Sequence, residues 1–244
     1  MGKKTILIVG ATSGIGYATA KIYINQGWRV GVVGRNIERL HELKAFASEN
    51  VEFAQIDTTK VGAELKLMEL IDRMGGIDIL LLSSGCGKQN IKLDVGIEQM
   101  TLELNVIGFT RIVDAAYHYF KGIGGGHIAV ISSIAGTKGL GVAASYSATK
   151  GFQNKYIESL TQLSRMQGDK VIFTDIRPGF VNTPLLAGDK HYPMAMTADY
   201  VATKIVKGIK AKRKVLVIDW RYAILVFFWR MIPRWLWIRL GIKN

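Results

Sequence analysis

The stretch Thr5-Ile-Leu-Ile-Val9-Gly10-Ala-Thr-Ser-Gly14-Ile-Gly16-Tyr17 carries the clearest structural signal in the sequence. Its first five residues are mostly apolar and β-branched, which predicts a buried strand. The glycines then predict a tight turn, and a helix is predicted over residues 14–26. Glycines let backbone N–H groups approach a ligand closely, and the free N–H groups at a helix start attract anions. The stretch therefore predicts a site for the pyrophosphate of a dinucleotide; a glycine turn that holds no ligand is the alternative.

Similar apolar runs recur along the chain and alternate with helix-like stretches. Strands that are apolar throughout and separated by crossovers indicate a parallel sheet that is covered on both faces. The predicted strands are Thr5–Val9, Arg29–Val33, Val51–Ile56, Ile77–Leu82, His127–Ser132, Val171–Ile176 and Lys214–Ile218. The firmest predicted helices are Gly14–Gln26, Asn36–Ser48, Gly96–Phe120 and Ala144–Gln167.

Composition fits a single α/β domain with a distinct C-terminal extension. Of the 244 residues, 49% are apolar and 21% are charged, which excludes a disordered chain. One cysteine, Cys86, allows no internal disulfide and favours a reducing, cytoplasmic location. We predict a catalytic domain over residues 1–219 and an extension over residues 220–244.

The net charge of +13 is unevenly distributed. Residues 204–244 hold 11 basic side chains against the single acid Asp219, so the rest of the chain carries only +3. This distribution disfavours a nucleic-acid-binding body. Metal chemistry also has little support, because the four histidines show no metal-ligand spacing and one cysteine cannot build a zinc site; the histidines are His41, His118, His127 and His191.

The second predicted strand ends in Val33-Gly34-Arg35-Asn36. In a dinucleotide site, an acidic residue here binds a ribose 2′-hydroxyl, whereas a basic residue accommodates a 2′-phosphate. Because Arg35 stands there and no acid does, NADP(H) is the expected cofactor, with Asn36 beside it. The alternative is that Arg35 is a solvated loop residue.

A tyrosine followed four residues later by a lysine places both side chains on one helix face, where the ammonium can lower the pKa of the phenol. The spacing alone is not specific, since it occurs at Tyr17/Lys21, Tyr117/Lys121, Tyr146/Lys150 and Tyr200/Lys204. Tyr146/Lys150 is favoured because it follows an apolar strand that ends in Ser132-Ser133, at the edge where such sheets bind ligands.

In combination, these motifs resemble the short-chain dehydrogenase/reductase family over residues 4–218. Asn105-Val-Ile-Gly108 matches a further family motif, and Ser133 stands thirteen residues before Tyr146. The resemblance implies a Rossmann-like, doubly wound, seven-stranded parallel sheet and a homo-oligomer. It implies catalytic roles for Asn105, Ser133, Tyr146 and Lys150. The implied cofactor contacts are Gly10, Thr12, Ser13, Gly14, Ile15, Gly16, Arg35, Asn36, Asp57, Thr58, Gly85, Tyr146, Lys150, Pro178, Gly179, Val181 and Thr183.

The implied roles agree with the chemistry of these side chains. Tyr146 is the general acid/base for the substrate oxygen, and Ser133 donates a hydrogen bond to that oxygen. Lys150 lowers the pKa of Tyr146, and Asn105 holds a water that links Lys150 to solvent. One departure from the family is Ser83-Ser84-Gly85, where two asparagines usually precede the alanine and glycine. Their loss puts local rigidity in question more than the chemistry.

The extension interleaves Trp, Phe and Leu with Arg, and four of the five tryptophans fall in it. Its longest uncharged run, Tyr222–Trp229, is far short of the ~20 residues that span a bilayer. Peripheral contact with anionic lipid is one interpretation. A subunit interface and a flap over an apolar substrate pocket are the others. All three favour a lipophilic substrate of the sterol, retinoid, long-chain ketone or ketosphingoid type.

The sequence thus predicts an NADP(H)-dependent oxidoreductase that interconverts a lipophilic ketone and a secondary alcohol. A dinucleotide-binding sensor or scaffold that acts through the extension is the competing hypothesis. Turnover of any lipophilic ketone distinguishes the two.

Overall fold

The computed structural model describes residues 3–186, 192 and 194–242. The strands are β1 (Thr5–Val9), β2 (Arg29–Gly34), β3 (Val51–Gln55), β4 (Ile79–Leu82), β5 (Gly126–Ile131), β6 (Val171–Pro178), β7 (Val181–Asn182), β8 (Met196–Thr197) and β9 (Val215–Ile218). The α-helices are α1 (Gly14–Asn25), α2 (Ile37–Phe46), α3 (Ala63–Arg73), α4 (Val95–Leu102), α5 (Phe109–Gly122), α6 (Ala144–Gln167), α7 (Ala198–Lys210), α8 (Trp220–Met231) and α9 (Arg234–Arg239).

Among the described residues, seven strands form one parallel sheet in the order β3-β2-β1-β4-β5-β6-β9. The predicted seven-stranded, doubly wound parallel sheet is therefore confirmed. The order reverses between β1 and β4, which opens a crevice at the carboxyl ends of these strands. The short strands β7 and β8 pair with each other beside the main sheet.

Each face of the sheet has its own apolar core. Ile6 and Ile8 of β1 pack in the layer covered by α1, α2 and α7, whereas Leu7 and Val9 pack in the layer covered by α3, α5 and α6. Successive side chains of a strand point to opposite faces, so a strand buried on both sides must be apolar throughout. This requirement explains the continuous apolar runs in the sequence.

The prediction of one continuous α-helix over residues 96–120 is wrong for the middle of that range. The chain forms α4, then a π-helical turn at Glu103–Gly108, and then α5. Asn105 lies in this turn, where its buried side chain bonds to the backbone of Cys86 outside the helix. π-turns interrupt α-helices most often at functional sites. Apolar periodicity does not reveal such a turn because both flanks remain helical.

The extension packs against the domain. Tyr222 of α8 is fully buried, and its hydroxyl accepts a hydrogen bond from the backbone N–H of Phe180 at 3.1 Å and donates one to the carbonyl of Met194 at 3.2 Å. Trp237 of α9 is buried as well, and its Nε1 donates to the carbonyl of Gly139 at 2.7 Å. In the part of the chain that is described, no helix has the length and apolarity to cross a membrane. The first turn of the extension thus contributes to the domain core.

Candidate active site

A cavity of about 470 Å³ lies at the carboxyl ends of the central strands. Loops that follow parallel strands meet at this edge of a sheet, so residues distant in sequence come together there. The predicted site residues in its wall are Gly10, Thr12, Ser13, Gly14, Ile15, Arg35, Asp57, Thr58, Gly85, Ser133, Tyr146, Lys150, Pro178, Gly179, Val181 and Thr183. Three other predicted site residues do not line the cavity. Gly16, Asn36 and Asn105 each stand next to a lining residue, namely Ile15, Arg35 and Leu104.

The glycine turn closes one end of the cavity. Gly10 has a φ of +88°, and a Cβ atom there would lie 2.5 Å from the backbone nitrogen of Ser84. A Cβ atom at Gly16 would lie 2.1 Å from the carbonyl oxygen of Gly10. Gly16 is therefore required for packing of the turn, whereas Gly14 and Ser13 face the cavity at the start of α1. A helix N-terminus beside a close backbone turn fits an anionic pyrophosphate.

The end of β2 presents one cation to the cavity. Arg35 is exposed and lines the wall, and its carbonyl accepts a hydrogen bond from Nε2 of Gln55 at 2.8 Å. The neighbouring Asn36 has a different task, because its Oδ1 accepts from the backbone N–H of Arg39 and caps α2. A flexible guanidinium at this position fits a ribose 2′-phosphate, as the sequence predicts.

On the adenine side of the predicted cofactor site, Asp57 is held by its own loop. Its Oδ1 accepts hydrogen bonds from the backbone N–H and the hydroxyl of Thr59, at 3.0 and 2.7 Å. Burial opposes ionisation of Asp57, but these hydrogen bonds and the charge of Arg35 outweigh it and lower its pKa. The carboxylate is therefore ionised and fixed in place.

Tyr146 and Ser133 meet at the other end of the cavity. Tyr146 lies in the first turn of α6, and Ser133 follows β5, where its Oγ accepts a hydrogen bond from the backbone N–H of Ala135 at 3.0 Å. Burial raises the pKa of Tyr146, and a hydrogen bond from Ser133 acts in the opposite direction. This net increase differs from the decrease expected from Lys150. Desolvation of the phenol is the larger effect here.

Lys150 is buried one turn below Tyr146 on the same helix. Its Nζ lies 5.8 Å from the centroid of the Tyr146 ring and donates hydrogen bonds to the carbonyl of Ile131 at 3.1 Å and to Oε1 of Gln153 at 2.9 Å. Burial lowers the pKa of Lys150 to about 8, while the charges of Cys86 and Asp175 act in the opposite direction. The lysine thus titrates close to neutral pH and can respond to charge on Tyr146.

Asn105 organises the loop after β4. Its Oδ1 accepts a hydrogen bond from the N–H of Cys86 at 2.9 Å, and its Nδ2 donates to the carbonyl of Cys86 at 2.7 Å and to Oγ1 of Thr149 at 3.1 Å. Asn105 was expected to hold a water that links Lys150 to solvent. In the structure the side chain of Gln153 joins the two residues directly, since its Nε2 donates to the carbonyl of Asn105 at 2.9 Å and its Oε1 accepts from Lys150. Sequence reasoning missed Gln153, although its position three residues after Lys150 places it on the same helix face.

An apolar wall lies beside Tyr146, and the C-terminal extension forms part of it. Leu225 and Trp229 of the extension, for which a flap over the pocket was one interpretation, line the cavity together with Tyr222. Gly87 lies against the ring of Tyr146, with space for no side chain between them. Leu140 packs in the same cluster as Tyr146 and Trp229. Further apolar residues in the cavity lining are Leu185, Leu186, Tyr192 and Met194.

The serines that replace the family's asparagines are packed tightly. The backbone of Ser84 lies against Gly10, and the N–H of Ser83 donates to the carbonyl of Val9 at 2.8 Å. The backbone at this position is thus fixed by the strand ladder and the glycine turn. Within the described ranges, no group of three His, Cys, Asp or Glu side chains could hold a metal ion, and His191 lies outside those ranges.

Comparisons with known proteins agree with this geometry. The profile of the short chain dehydrogenase family matches residues 4–205. A protein of Myxococcus xanthus described as an uncharacterized oxidoreductase is 30% identical over 96% of this chain and 94% of its own length. An uncharacterized oxidoreductase of Listeria monocytogenes is 34% identical over 81% of this chain and 83% of its own length.

Solved structures share the fold. A short-chain dehydrogenase from Sphingobium yanoikuyae in complex with NADPH superposes with a TM-score of 0.80 at 23% identity, covering 95% of this chain and 97% of its own. ElxO with NADP bound gives a TM-score of 0.79 at 22% identity, over 89% of this chain and 98% of its own. The sequence match over most of the chain and the shared architecture lead to one conclusion: the chain belongs to the short-chain dehydrogenase family.

Proposed function

We propose that this protein is an NADP(H)-dependent oxidoreductase that interconverts a ketone and a secondary alcohol. The observation that carries the proposal is the convergence of Ser133, Tyr146 and Lys150 at one end of a cavity whose other end is the glycine turn and Arg35. Family membership supports the reaction class. The NADP and NADPH bound by the structural neighbours support the cofactor.

Each side chain has a defined task in the proposed reaction. NADPH supplies the hydride when it is bound. Tyr146 passes its phenolic proton to the substrate oxygen, and Ser133 donates a hydrogen bond to the same oxygen, where negative charge develops. The ammonium of Lys150 stabilises the phenolate that remains. Asn105 keeps the loop at Cys86 in place through its three hydrogen bonds.

The test is NADPH oxidation in the presence of ketones graded by chain length and ring count. Tyr146→Phe keeps the ring and removes the proton, so kcat should fall at least ~10²-fold while NADPH affinity stays near that of the wild type. Tyr200→Phe is the matched control, because its ring lies on α7 outside the cavity wall. Binding of NADPH without turnover of any ketone would instead favour the sensor or scaffold hypothesis.

The cavity wall supports a lipophilic carbonyl substrate. The cavity lining includes many aliphatic and aromatic side chains, among them Leu140, Leu186, Met194 and Trp229. Apolar walls with a few convergent polar groups bind lipophilic molecules and orient one polar atom. Shortening Trp229 to Ala should raise KM for large ketones and leave KM for small ones unchanged. An equal change for both sizes would mean that Trp229 supports folding and not substrate contact.

The outer face of the extension supports peripheral contact with a membrane from the cytoplasmic side. Trp220 and Ile238 are each 70% exposed and Trp235 is 61% exposed, and the arginines Arg230 and Arg234 are exposed between them. Exposed rings together with guanidiniums match an anionic lipid surface, where the rings enter the headgroup layer. The opposite face of α8 holds the helix on the domain, so the outer face needs no rearrangement to bind.

Vesicle sedimentation tests this contact. The protein should sediment with phosphatidylglycerol vesicles and less so as salt rises, because screening weakens the arginine contribution. Trp220→Ser with Trp235→Ser should reduce binding, whereas Met166→Ser is a control at an equally exposed apolar residue elsewhere. If the double variant loses self-association and the wild type ignores vesicles, the extension is a subunit interface.

We also propose a homo-oligomer, which the family commonly forms. Exposed apolar side chains lie on the neighbouring helical segments α4 to α6, including Met100, Ile107 and Phe152. Light scattering of wild type and of Phe152→Asp tests this face. The variant should dissociate, and an unchanged mass would place the interface elsewhere.

A further inference from the structure

Lys150 has a hydrogen-bond partner, Gln153, that has no role in the reaction proposed above. Gln153 follows it by three residues on α6 and is 1% exposed. Its Oε1 accepts a hydrogen bond from Nζ of Lys150 at 2.9 Å. Together with the carbonyl of Ile131, the amide supplies two acceptors for the buried ammonium. The position of the ammonium is thereby fixed by two hydrogen bonds to uncharged acceptors.

The other end of the amide is fixed as well. Nε2 of Gln153 donates to the carbonyl of Asn105 at 2.9 Å, so the side chain spans the distance between Lys150 and the π-helical turn. An amide turned by 180° would point N–H groups at the ammonium and an oxygen at a carbonyl oxygen. Both contacts would be repulsive, so the hydrogen-bond network permits one orientation. The acceptor at Lys150 is therefore preorganised.

We propose that Gln153 is a positioning residue for Lys150 and that its amide joins Lys150 to Asn105 directly, in place of the water that Asn105 was expected to hold. The inference rests on the proposed oxidoreductase function, because it assigns a role to Lys150 in that reaction. A water at this place would be mobile and could accept and release protons. The amide is a fixed dipole with an acceptor toward the lysine.

An amide in place of a water has a chemical consequence. An amide oxygen accepts a hydrogen bond, but it has no proton to exchange and does not carry one onward at neutral pH. The contact through Gln153 therefore gives Lys150 no proton outlet toward Asn105. The protons of Lys150 exchange on the cavity side, where Tyr146 lies, and the amide stabilises the ammonium form without adding a charge.

The titratable groups that face Lys150 come from three elements. Tyr146 precedes it on α6, Cys86 lies in the loop after β4, and Asp175 lies on β6. Asp175 is itself paired with Arg177 at 2.6 Å, which reduces its influence on the lysine. Burial lowers the pKa of Lys150, so the hydrogen bond that its ammonium donates to Oε1 of Gln153 helps to keep it charged.

Two substitutions shift the titration of Lys150 in opposite directions. Gln153→Leu has a similar size and removes the acceptor, so the alkaline limb of kcat/KM for ketone reduction should move to lower pH. Gln153→Glu places a carboxylate at the same atom, so the limb should move to higher pH. We expect shifts on the order of one pH unit in each direction, the size expected for one charge-assisted hydrogen bond.

A matched control lies on the same helix. Gln167 also accepts a hydrogen bond from a lysine, Lys121, but at an exposed position far from the cavity. Gln167→Leu should leave the pH profile unchanged. A purely structural role for Gln153 would lower kcat or the melting temperature in both of its variants without opposite movement of the alkaline limb, and that result would overturn the inference.

The outcomes separate this inference from the proposed function. A wild-type protein that turns over no ketone refutes the oxidoreductase proposal itself. If the wild type is active and both Gln153 variants have the same alkaline limb in their pH profile as the wild type, only the role of Gln153 is refuted. If Gln153→Leu does not fold, Gln153→Glu decides alone: an upward shift supports the inference, and an unchanged limb contradicts it.

Discussion

Gly87→Ala tests whether the position of Tyr146 controls the reaction. A Cβ atom at Gly87 would lie 2.1 Å from Cδ2 of the Tyr146 ring and 2.7 and 2.8 Å from two further ring atoms. Ordinary contacts of such atoms begin near 3.4 Å. The ring and the loop must therefore separate by more than about 1 Å, which is enough to cost ~10²-fold in rate when a catalytic group is displaced.

The assay compares kcat for ketone reduction with NADPH affinity measured by fluorescence. We expect Gly87→Ala to lower kcat by ~10²-fold, because the phenol moves away from the hydrogen bond with Ser133. NADPH binding should remain close to that of the wild type, since Gly10 and Arg35 at the other end of the cavity are not in contact with Gly87. A rise in KM without a change in kcat would indicate that the loop moved and the ring did not.

Gly141→Ala is the control substitution. Residue 141 lies in the loop before Tyr146, and a Cβ atom there meets nothing within 4 Å. Its kcat should match that of the wild type. If Gly87→Ala folds normally and retains wild-type kcat and KM, the contact between Gly87 and Tyr146 does not set the geometry of the reaction, and the reasoning is refuted.

Three further predictions follow from other contacts. Arg35→Ala should weaken NADPH binding by ~1.5–3 kcal/mol, the range of charge-assisted hydrogen bonds, and leave NADH binding unchanged; equal loss for both cofactors would mean that Arg35 acts through folding. Tyr222→Phe removes a buried hydroxyl that bonds to Phe180 and Met194, so unfolding free energy should fall by ~1–3 kcal/mol and the melting temperature by ~2–4 °C for each kcal/mol. An unchanged melting temperature would show that the two hydrogen bonds of this hydroxyl do not stabilise the fold. Because the pKa of Lys150 lies at about 8, ketone reduction should decline as pH rises through that value and the ammonium is lost; a rate that stays constant to pH 10 would exclude this titration.

The sequence by itself determined the parallel sheet and the edge at which the site forms. Strands buried on both faces must be apolar throughout, and this requirement is local enough to read from runs such as Ile6–Val9. The glycine turn could also be predicted from the sequence, because Gly10, Gly14 and Gly16 stand between an apolar strand and a helix within one short stretch. Tyr146 was selected among four equally spaced pairs by the strand before it.

Only the tertiary structure decided what surrounds these groups. Gln153 donates a hydrogen bond to the carbonyl of Asn105, which lies 48 residues earlier in the sequence. The extension, which follows the last strand of the sheet, places Trp229 in the cavity wall. The direction of the pKa shift of Tyr146 depended on burial of the phenol, which the four-residue spacing to Lys150 does not reveal. Spacing fixes which side chains share a helix face, whereas hydrogen-bond partners and desolvation depend on packing between distant segments.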